Sequence, residues 1–508
     1  MITIKPLEKL REAGRERCPR SLPALRRIVP VLRNCAVLVL ALMLARVPVA
    51  GAQIQLPDFG DSSSKAFSNA DERAIGEAFM REIRSRLTIV DDPEVEQYIQ
   101  WIGYRLVSES DYNNLGFTFF VVADNRINAF AAPGGYIGAN SGLITASESE
   151  SELASVLAHE TAHVTQRHIA RSIELADRSN IPAIAGLIAA IIIGTQDSQA
   201  GAATAAAVVG TQAQKQIDFT RANEKEADRV GMQLLESSGF DPRAMPAFFE
   251  KLQSESRYYR KPPEFLSTHP VTTARIADTR GRAEKYPYRQ YHDGLSYSLV
   301  KAKLRAQLEF EPKEAVEYFR NLIDGGTYKS LPAAKYGLAI SLQRAGRPKE
   351  ANEILRELLK KHPDRMSFRA ALADNEYRRG DVNAALKIYA EGLSVFPDNK
   401  MLVRGYTSAL IQTGQGRRAL EVLETYGRLH DLDAALYRTR AEAFQQLGDS
   451  AESHMSLAEY YYQSGDLGAA IHQLKLASRV PGNDFYRSSR IEARLQEFET
   501  EKTLRAQR

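Results

Sequence analysis

The sequence predicts an α+β domain followed by an all-α solenoid of tetratricopeptide repeats. The first prediction depends on a β-rich stretch, residues 117–138, that stands among longer amphipathic helical patterns. The second depends on glycines that recur every 34 residues in the later half of the chain. With 508 residues and 44% hydrophobic content, the chain has room for two or three domains with substantial cores.

Residues 1–52 have the order of regions that is typical of a secretory signal peptide. A basic region comes first, an apolar run from Cys35 to Ala45 follows, and small residues stand before Gln53. We expect cleavage after Ala52. A retained membrane anchor is the alternative, although the apolar run is short for a bilayer span.

Removal of this segment changes what the composition implies. The segment carries ten Lys or Arg and three Glu, so its loss takes the net charge from +4 to about −3. Nothing in the remaining chain then indicates nucleic-acid binding. Both cysteines, Cys18 and Cys35, are lost as well, so we expect a folded state without disulfides that depends on its core.

Two helices are predicted after a polar leader at residues 53–68. Asp71 and Glu72 open the first, and Asp92-Pro93-Glu94 caps the second. The β-rich part then begins with Phe117–Val122. It continues as two short strands around Pro133-Gly134-Gly135. Such a hairpin can offer an edge strand to an extended peptide, and an ordinary structural hairpin is the alternative.

The next predicted helix contains His159-Glu160-Thr161-Ala162-His163. Residues four apart share a helical face, so both imidazoles can point at one ion while Glu160 faces the same opening. This H-E-x-x-H pattern is typical of zinc metalloproteases, in which the glutamate is the general base. Two surface histidines are the alternative, but the apolar flanks and a capping box, Ser149 with Glu152, favour a packed helix.

Residues 181–216 are dominated by small and aliphatic side chains. The apolar run is short for a membrane span, and the stretch after it has low complexity. We interpret the segment as a lid or a helix that makes peripheral membrane contact near the metal helix. A disordered insertion is the alternative.

A second motif follows, in which Glu224 and Asp228 stand four residues apart on a predicted helix that ends at Gly239. Glu224 can be the third metal ligand, and Asp228 can accept the free N–H of a ligand histidine and fix its tautomer. Most helical glutamates are surface residues. The pairing of this helix with H-E-x-x-H argues against that interpretation here.

The combination of His159-Glu160-x-x-His163, Glu224-x-x-Ala227-Asp228 and the Pro133-Gly134-Gly135 hairpin resembles the gluzincin metalloproteases. With Ser267-Thr268-His269-Pro270 and a helical-repeat C-terminus, the chain is similar to the periplasmic β-barrel assembly-enhancing proteases. The resemblance implies an endopeptidase with one Zn²⁺ held by His159, His163 and Glu224. It also implies a periplasmic role in outer-membrane protein assembly and quality control, in which misassembled β-barrel proteins are degraded and assembly is assisted.

His269 stands in a turn before Pro270, which biases its backbone towards an extended conformation. In the family that the chain resembles, the matching histidine is regarded as a switch that takes the fourth position on the metal and displaces the catalytic water. We therefore expect a gating role for His269. The alternative is a loop histidine that orients substrate or only packs.

From about Leu295 the pattern is wholly helical. In each predicted repeat a glycine ends the first helix, an alanine lets the second helix approach closely, and a proline stops it. Gly465 comes half a period after Gly448, so a phase shift is expected there. The recurring residues are Gly346, Gly380, Gly414 and Gly448; Ala351, Ala385 and Ala419; Pro363 and Pro397.

These patterns predict four segments: a signal peptide at 1–52, a zinc metalloprotease domain at 53–290, a repeat domain at 294–490 and a charged tail at 491–508. We expect protein substrates, with outer-membrane β-barrel proteins and their assembly machinery contacting the repeat surface. A non-proteolytic chaperone or scaffold built on the repeats is the alternative function. An intact Glu160 argues against it.

Overall fold

The structure, a computed structural model, describes residues 69–110, 116–173, 212–258 and 263–507. The predicted signal peptide at 1–52 and most of the predicted lid, 181–211, lie outside the described residues. Within the described ranges, no helix is both long enough and apolar enough to cross a membrane.

In the described part of the N-terminal half, helices surround a small sheet. The strands are β1 Thr118–Val122, β2 Ala129–Ala132 and β3 Tyr136–Asn140. The helices are α1 Asn69–Arg86, α2 Pro93–Val107, α3 Ser141–Ala146, α4 Glu150–Thr165, α5 His168–Ile173, α6 Gln212–Ser237, α7 Ala244–Tyr258, α8 Phe265–Thr268 and α9 Thr273–Ala283.

The sheet has the strand order β1-β3-β2, with β1 parallel and β2 antiparallel to β3. The predicted hairpin is confirmed, because β2 and β3 are joined by a single 3₁₀ turn at Pro133–Gly135. Gly134 and Gly135 have positive φ angles of 78° and 84°, a conformation that glycine adopts without a Cβ penalty. The turn therefore needs both glycines of the motif.

Two helices hold the sheet in place. Helix α1 packs its apolar stripe, which includes Phe79, on Phe120 of β1 and Phe130 of β2. Helix α2 begins as predicted, since Asp92 accepts hydrogen bonds from the backbone N–H groups of Glu94 and Val95. The sheet and these helices form the support on which the buried helix α4 lies.

The C-terminal half consists of helix pairs from α10 onwards. Gly346, Gly380, Gly414, Gly448 and Gly465 all have positive φ angles at helix ends, as the predicted repeat requires. The helices are α10 Leu295–Leu304, α11 Pro312–Asp324, α12 Leu331–Arg344, α13 Pro348–Lys361, α14 Met366–Arg378, α15 Val382–Val395, α16 Lys400–Gln412, α17 Gly416–Gly427, α18 Ala434–Gln446, α19 Ser450–Gln463, α20 Leu467–Ser478 and α21 Phe485–Gln507.

The predicted boundary of a charged tail at residue 491 falls inside helix α21. Ile491 and Phe498 are buried there, and Phe498 belongs to an apolar cluster with residues of α19 and α20. The segment is rich in charged residues, but its few apolar residues recur at helical spacing and form one stripe. Residues 491–507 thus close the end of the solenoid as part of a packed helix.

The repeat helices also pack against the N-terminal domain. Glu94, at the start of α2, accepts hydrogen bonds from Lys303 Nζ at 2.9 Å and from Tyr336 Oη at 2.7 Å. Lys400 Nζ lies 2.8 Å from the Oε2 of Glu96, two residues further along. The acidic first turn of α2 is therefore paired with basic and phenolic groups of the repeats.

Candidate metal centre

Helix α4 presents its two histidines in a closed environment. Ser149 caps the helix by accepting a hydrogen bond from Glu152 N at 3.1 Å, which confirms that half of the predicted capping box. His159 is fully buried and His163 nearly so, and their Nε2 atoms are 3.1 Å apart. The helix is thus a packed core element, and the alternative of two surface histidines is wrong.

Helix α6 brings Glu224 to the same point. Its Oε2 lies 3.4 Å from His159 Nε2, and its Oε1 lies 3.4 Å from His163 Nε2. The two helices pack closely because Gly231 of α6 meets the backbone of α4, where a Cβ would lie 3.1 Å from His159 N. Glu224, which the sequence motif predicted on a later helix, therefore lies beside both histidines of α4.

His269 is the fourth side chain at this point. Its Nδ1 lies 3.0 Å from Glu224 Oε1 and 3.3 Å from His159 Nε2, and its ring stacks on Phe265. Its backbone has φ −125° and ψ 83°, outside the helical region as Pro270 requires. Ligand atoms of His159, His163, Glu224 and His269 all lie within 4.8 Å of one another.

Glu160 lies beside this group with its carboxylate buried. Its Oε1 is 3.3 Å from His269 Nε2, but this contact lacks hydrogen-bond geometry, so the oxygen has no donor among the described residues. A buried carboxylate oxygen without a hydrogen-bond donor is costly in free energy, so this oxygen favours contact with a group that donates a proton.

Asp228 lies one turn beyond Glu224 and contacts the side of His159 that faces away from Glu224. Its Oδ1 lies 3.0 Å from His159 Nδ1, which agrees with the predicted contact between Asp228 and a histidine of the motif. Arg275 of α9 donates two hydrogen bonds to the Asp228 carboxylate, at 2.8 and 2.7 Å, and its Nη1 lies 2.8 Å from Glu224 Oε2. One guanidinium therefore pairs with two buried carboxylates.

Three residues of the site were missed in the sequence: Arg275, His168 and Glu226. His168 Nδ1 lies 2.9 Å from His163 Nδ1, and His168 Nε2 lies 3.1 Å from Glu226 Oε2. The only signal for Arg275 was charge balance, because two buried acids need a buried cation. His168 stands five residues after His163, a spacing that no continuous helical face explains.

Burial and charge act in opposite directions on the two helix histidines. Burial lowers the pKa of His163 to about 4, despite the hydrogen bond of Glu224. For His159 the lowering by burial is outweighed by the contacts of Asp228 and Glu224, which raise its pKa to about 9. Burial would raise the pKa of Glu224, but His269, His159 and His163 hold it well below its usual range. Without metal, the site thus keeps Glu224 ionised.

Fold and site together define a class of protein, the metallopeptidases with two helical histidines and a glutamate from a following helix. Residues 93–283 match Peptidase family M48, and residues 336–403 match the tetratricopeptide repeat.

The chain is 33% identical to the beta-barrel assembly-enhancing protease of Yersinia pestis over 88% of its own length and 92% of that protein. It is 32% identical to the protein of that name from Escherichia coli strain K12, over 91% of this chain and 95% of the relative. A partial match is the mitochondrial metalloendopeptidase OMA1 of Schizosaccharomyces pombe, 31% identical over 35% of this chain and 50% of the relative. The chain belongs to the family of beta-barrel assembly-enhancing proteases and is a metalloendopeptidase.

Proposed function

We propose that the chain is a zinc endopeptidase that acts in the assembly and quality control of outer-membrane β-barrel proteins in the periplasm. The observation that carries the proposal is the convergence of His159, His163, Glu224 and His269 beside the buried carboxylate of Glu160. The names of the relatives support the assembly role. The proposal goes beyond those names in two points, the degradation of misassembled clients and the periplasmic location.

The donor set fits zinc. Two imidazole nitrogens and one carboxylate oxygen are the ligands of many catalytic zinc sites, which keep one position open. Burial lowers the pKa of His163 to about 4, which favours the neutral form that binds zinc, whereas the pKa of His159 is about 9, so zinc would displace its proton. We assign His159, His163 and Glu224 as the ligands and Asp228 as the group that orients His159.

Zinc in this position would supply a Lewis acid that polarises the scissile carbonyl and acidifies a water. The protein supplies the proton transfers. Glu160 accepts the proton of the attacking water and passes it to the departing amine nitrogen. The burial of Glu160 Oε1 without a hydrogen-bond donor supports this role; the nearest histidine nitrogen, His269 Nε2, lies 3.3 Å away without hydrogen-bond geometry.

Strand β2 lies at one edge of the sheet. Asn140 N donates to Asn128 O at 2.9 Å, and in an antiparallel ladder this register directs the peptide groups of Ala129 and Ala131 away from β3. We propose that an extended client segment pairs with the peptide groups of Ala131, which is partly exposed, whereas Ala129 is fully buried. Such pairing through the backbone suits clients that share β-structure and little sequence.

The position of His269 supports a gating role. Its Nδ1 lies within 3.0 to 3.3 Å of atoms on Glu224 and His159, which places the ring at the fourth corner of the ligand group. A histidine there would occupy the position that a catalytic water needs. We propose that the site is held closed by His269 and opens when the turn after α8 moves.

Metal analysis of purified protein tests the proposal. We expect one zinc per chain in the wild type, loss of zinc and of casein cleavage in His163→Ala and Glu224→Ala, and no change in His430→Ala, a half-exposed histidine in the repeats. Chelation should abolish cleavage, and added Zn²⁺ should restore it. Full zinc content in His163→Ala would overturn the ligand assignment.

A further inference from the structure

A second histidine, His168, contacts the proposed ligand His163 at the ring nitrogen that faces away from the metal position. His168 Nδ1 lies 2.9 Å from His163 Nδ1, and the two rings are nearly perpendicular with centroids 4.8 Å apart. His168 Nε2 lies 3.1 Å from Glu226 Oε2, and Arg171 Nη2 donates to the same oxygen at 3.0 Å. These contacts form a chain from the proposed metal ligand to an ion pair.

The protons of this chain can be arranged in only one direction if His163 binds metal through Nε2. Its Nδ1 must then carry hydrogen and donate to His168 Nδ1, which is the acceptor. His168 consequently carries its hydrogen on Nε2 and donates it to the Glu226 carboxylate. Each histidine nitrogen in the chain thus has one defined role.

The two ligand histidines are supported in parallel ways. His159 has Asp228 behind it, and Asp228 is paired with Arg275. His163 has His168 and Glu226 behind it, and Glu226 is paired with Arg171. In both cases the carboxylate comes from α6, the helix that also supplies Glu224.

A left-handed turn puts His168 in position. On a continued helix, His168 would point about 140° away from His163. Arg167 instead has a φ of +53°, a conformation that residues other than glycine rarely adopt, and α5 then starts in a new direction. The guanidinium of Arg167 donates to the buried carboxylate of Glu72 at 2.9 Å, which holds the turn. Such backbone strain persists only where the surroundings enforce it.

We propose that His168 is a positioning residue that fixes the tautomer and ring orientation of His163, with Glu226 as the charged end of the relay. The inference rests on the proposed ligand set. Outer hydrogen bonds of this kind typically alter metal affinity by about 10- to 100-fold, because a ligand that is free to rotate or to shift its proton binds less well.

The test is the zinc affinity of the full-length protein, measured by competition with a chelator, together with the absorption spectrum of the Co²⁺-loaded form. His168→Phe should bind zinc about 10- to 100-fold more weakly, with a changed cobalt spectrum. His168→Asn should restore most of the affinity and the wild-type spectrum, because the asparagine Oδ1 can accept the hydrogen of His163 Nδ1. The matched control is His454→Phe, which removes a histidine that is hydrogen-bonded to Gln473 in the repeats, and it should bind zinc as the wild type does.

Two outcomes contradict the proposal. The first is that His168→Phe does not differ from wild type in affinity and spectrum. The second is that His168→Asn binds zinc as poorly as His168→Phe, which would mean that the ring only packs. If His168→Phe does not fold, Glu226→Ala decides: a loss of affinity of about tenfold that Glu226→Gln largely restores supports the relay, and unchanged affinity contradicts it. His163→Ala separates the two proposals, since normal zinc binding by that variant overturns the ligand set itself.

Discussion

At the scale of single residues, the stability of the site depends on the balance of buried charges. Glu224 and Asp228 are buried four residues apart, and Arg275 is the cation that both of them share. Burial would raise the pKa of Asp228, but His159 and Arg275 lower it below its usual value. The acids therefore stay ionised, and the metal-free fold depends on the charges of Arg275 and His159.

Arg275→Met should destabilise the metal-free protein by about 3–5 kcal/mol, because it leaves two buried carboxylates without their cation. The control is Arg280→Met on the same helix, whose exposed pair with Glu250 should contribute less than about 1 kcal/mol. Urea denaturation followed by circular dichroism gives both values. Equal effects of the two substitutions would show that Arg275 does not carry the charge balance.

His269→Ala should keep zinc and raise basal casein cleavage about twofold or more, because three ligands remain and the fourth position becomes free for water. Self-cleavage should increase with it. Zinc content and initial cleavage rates of wild type, His269→Ala and His430→Ala measure the effect. A variant that holds zinc normally but cleaves casein more slowly would instead assign His269 to substrate binding.

At the scale of elements, the hairpin before the metal helix is fixed by its turn. A Cβ at Gly135 would lie 2.3 Å from the carbonyl oxygen of Gly116, which is closer than atoms can approach. The left-handed φ of Gly135 adds a separate cost for any other residue. Position 135 therefore combines two constraints, whereas Gly346, Gly380, Gly414 and Gly448 have only the second.

Gly135→Ala should cost at least about 2 kcal/mol more in unfolding free energy than Gly346→Ala. Gly346 has a φ of 71°, similar to that of Gly135, but a Cβ there would meet nothing within 4 Å. The difference between the variants thus isolates the backbone contact. Urea denaturation of both proteins provides it, and equal losses would mean that the turn relaxes around the added methyl group.

Elements with a local signal could be predicted from the sequence. The hairpin, helix α4 with its histidines and the 34-residue repeats were all recognisable, because turn glycines and helical spacing are properties of neighbouring residues. Arg275 and His168 were not recognisable, since one comes from a later helix and the other depends on a left-handed turn at Arg167. Partners that meet only through tertiary packing leave no periodic pattern.

At the scale of the whole molecule, the repeats are packed on the catalytic domain. Lys303 Nζ lies 2.7 Å from Asp92 Oδ2 and 2.9 Å from Glu94 Oε2. Burial would lower the pKa of Lys303, but the two acids outweigh this effect and raise it. Tyr336 donates to the same Glu94 carboxylate. Part of the repeat surface is therefore occupied by the chain's own α2.

Lys303→Met should destabilise the protein by about 3 kcal/mol, because Asp92 and Glu94 then lose a cation in a largely buried setting. The control is Lys387→Met, an exposed lysine of the repeats 3.9 Å from Glu391, with an expected effect below about 1 kcal/mol. Thermal unfolding and limited proteolysis between the two domains report the change. Unaltered stability of Lys303→Met would indicate that the domains are held together by other contacts.

The measurement that tests the central claim most directly is zinc content and casein cleavage of Glu160→Gln beside the wild type. Glu160 is placed as the proton acceptor and not as a ligand, so the variant should hold one zinc per chain and lose cleavage by at least about 100-fold. Gln keeps the shape of the side chain, so folding should be preserved. Cleavage at the wild-type rate, or loss of zinc together with activity, would contradict the roles assigned to this site.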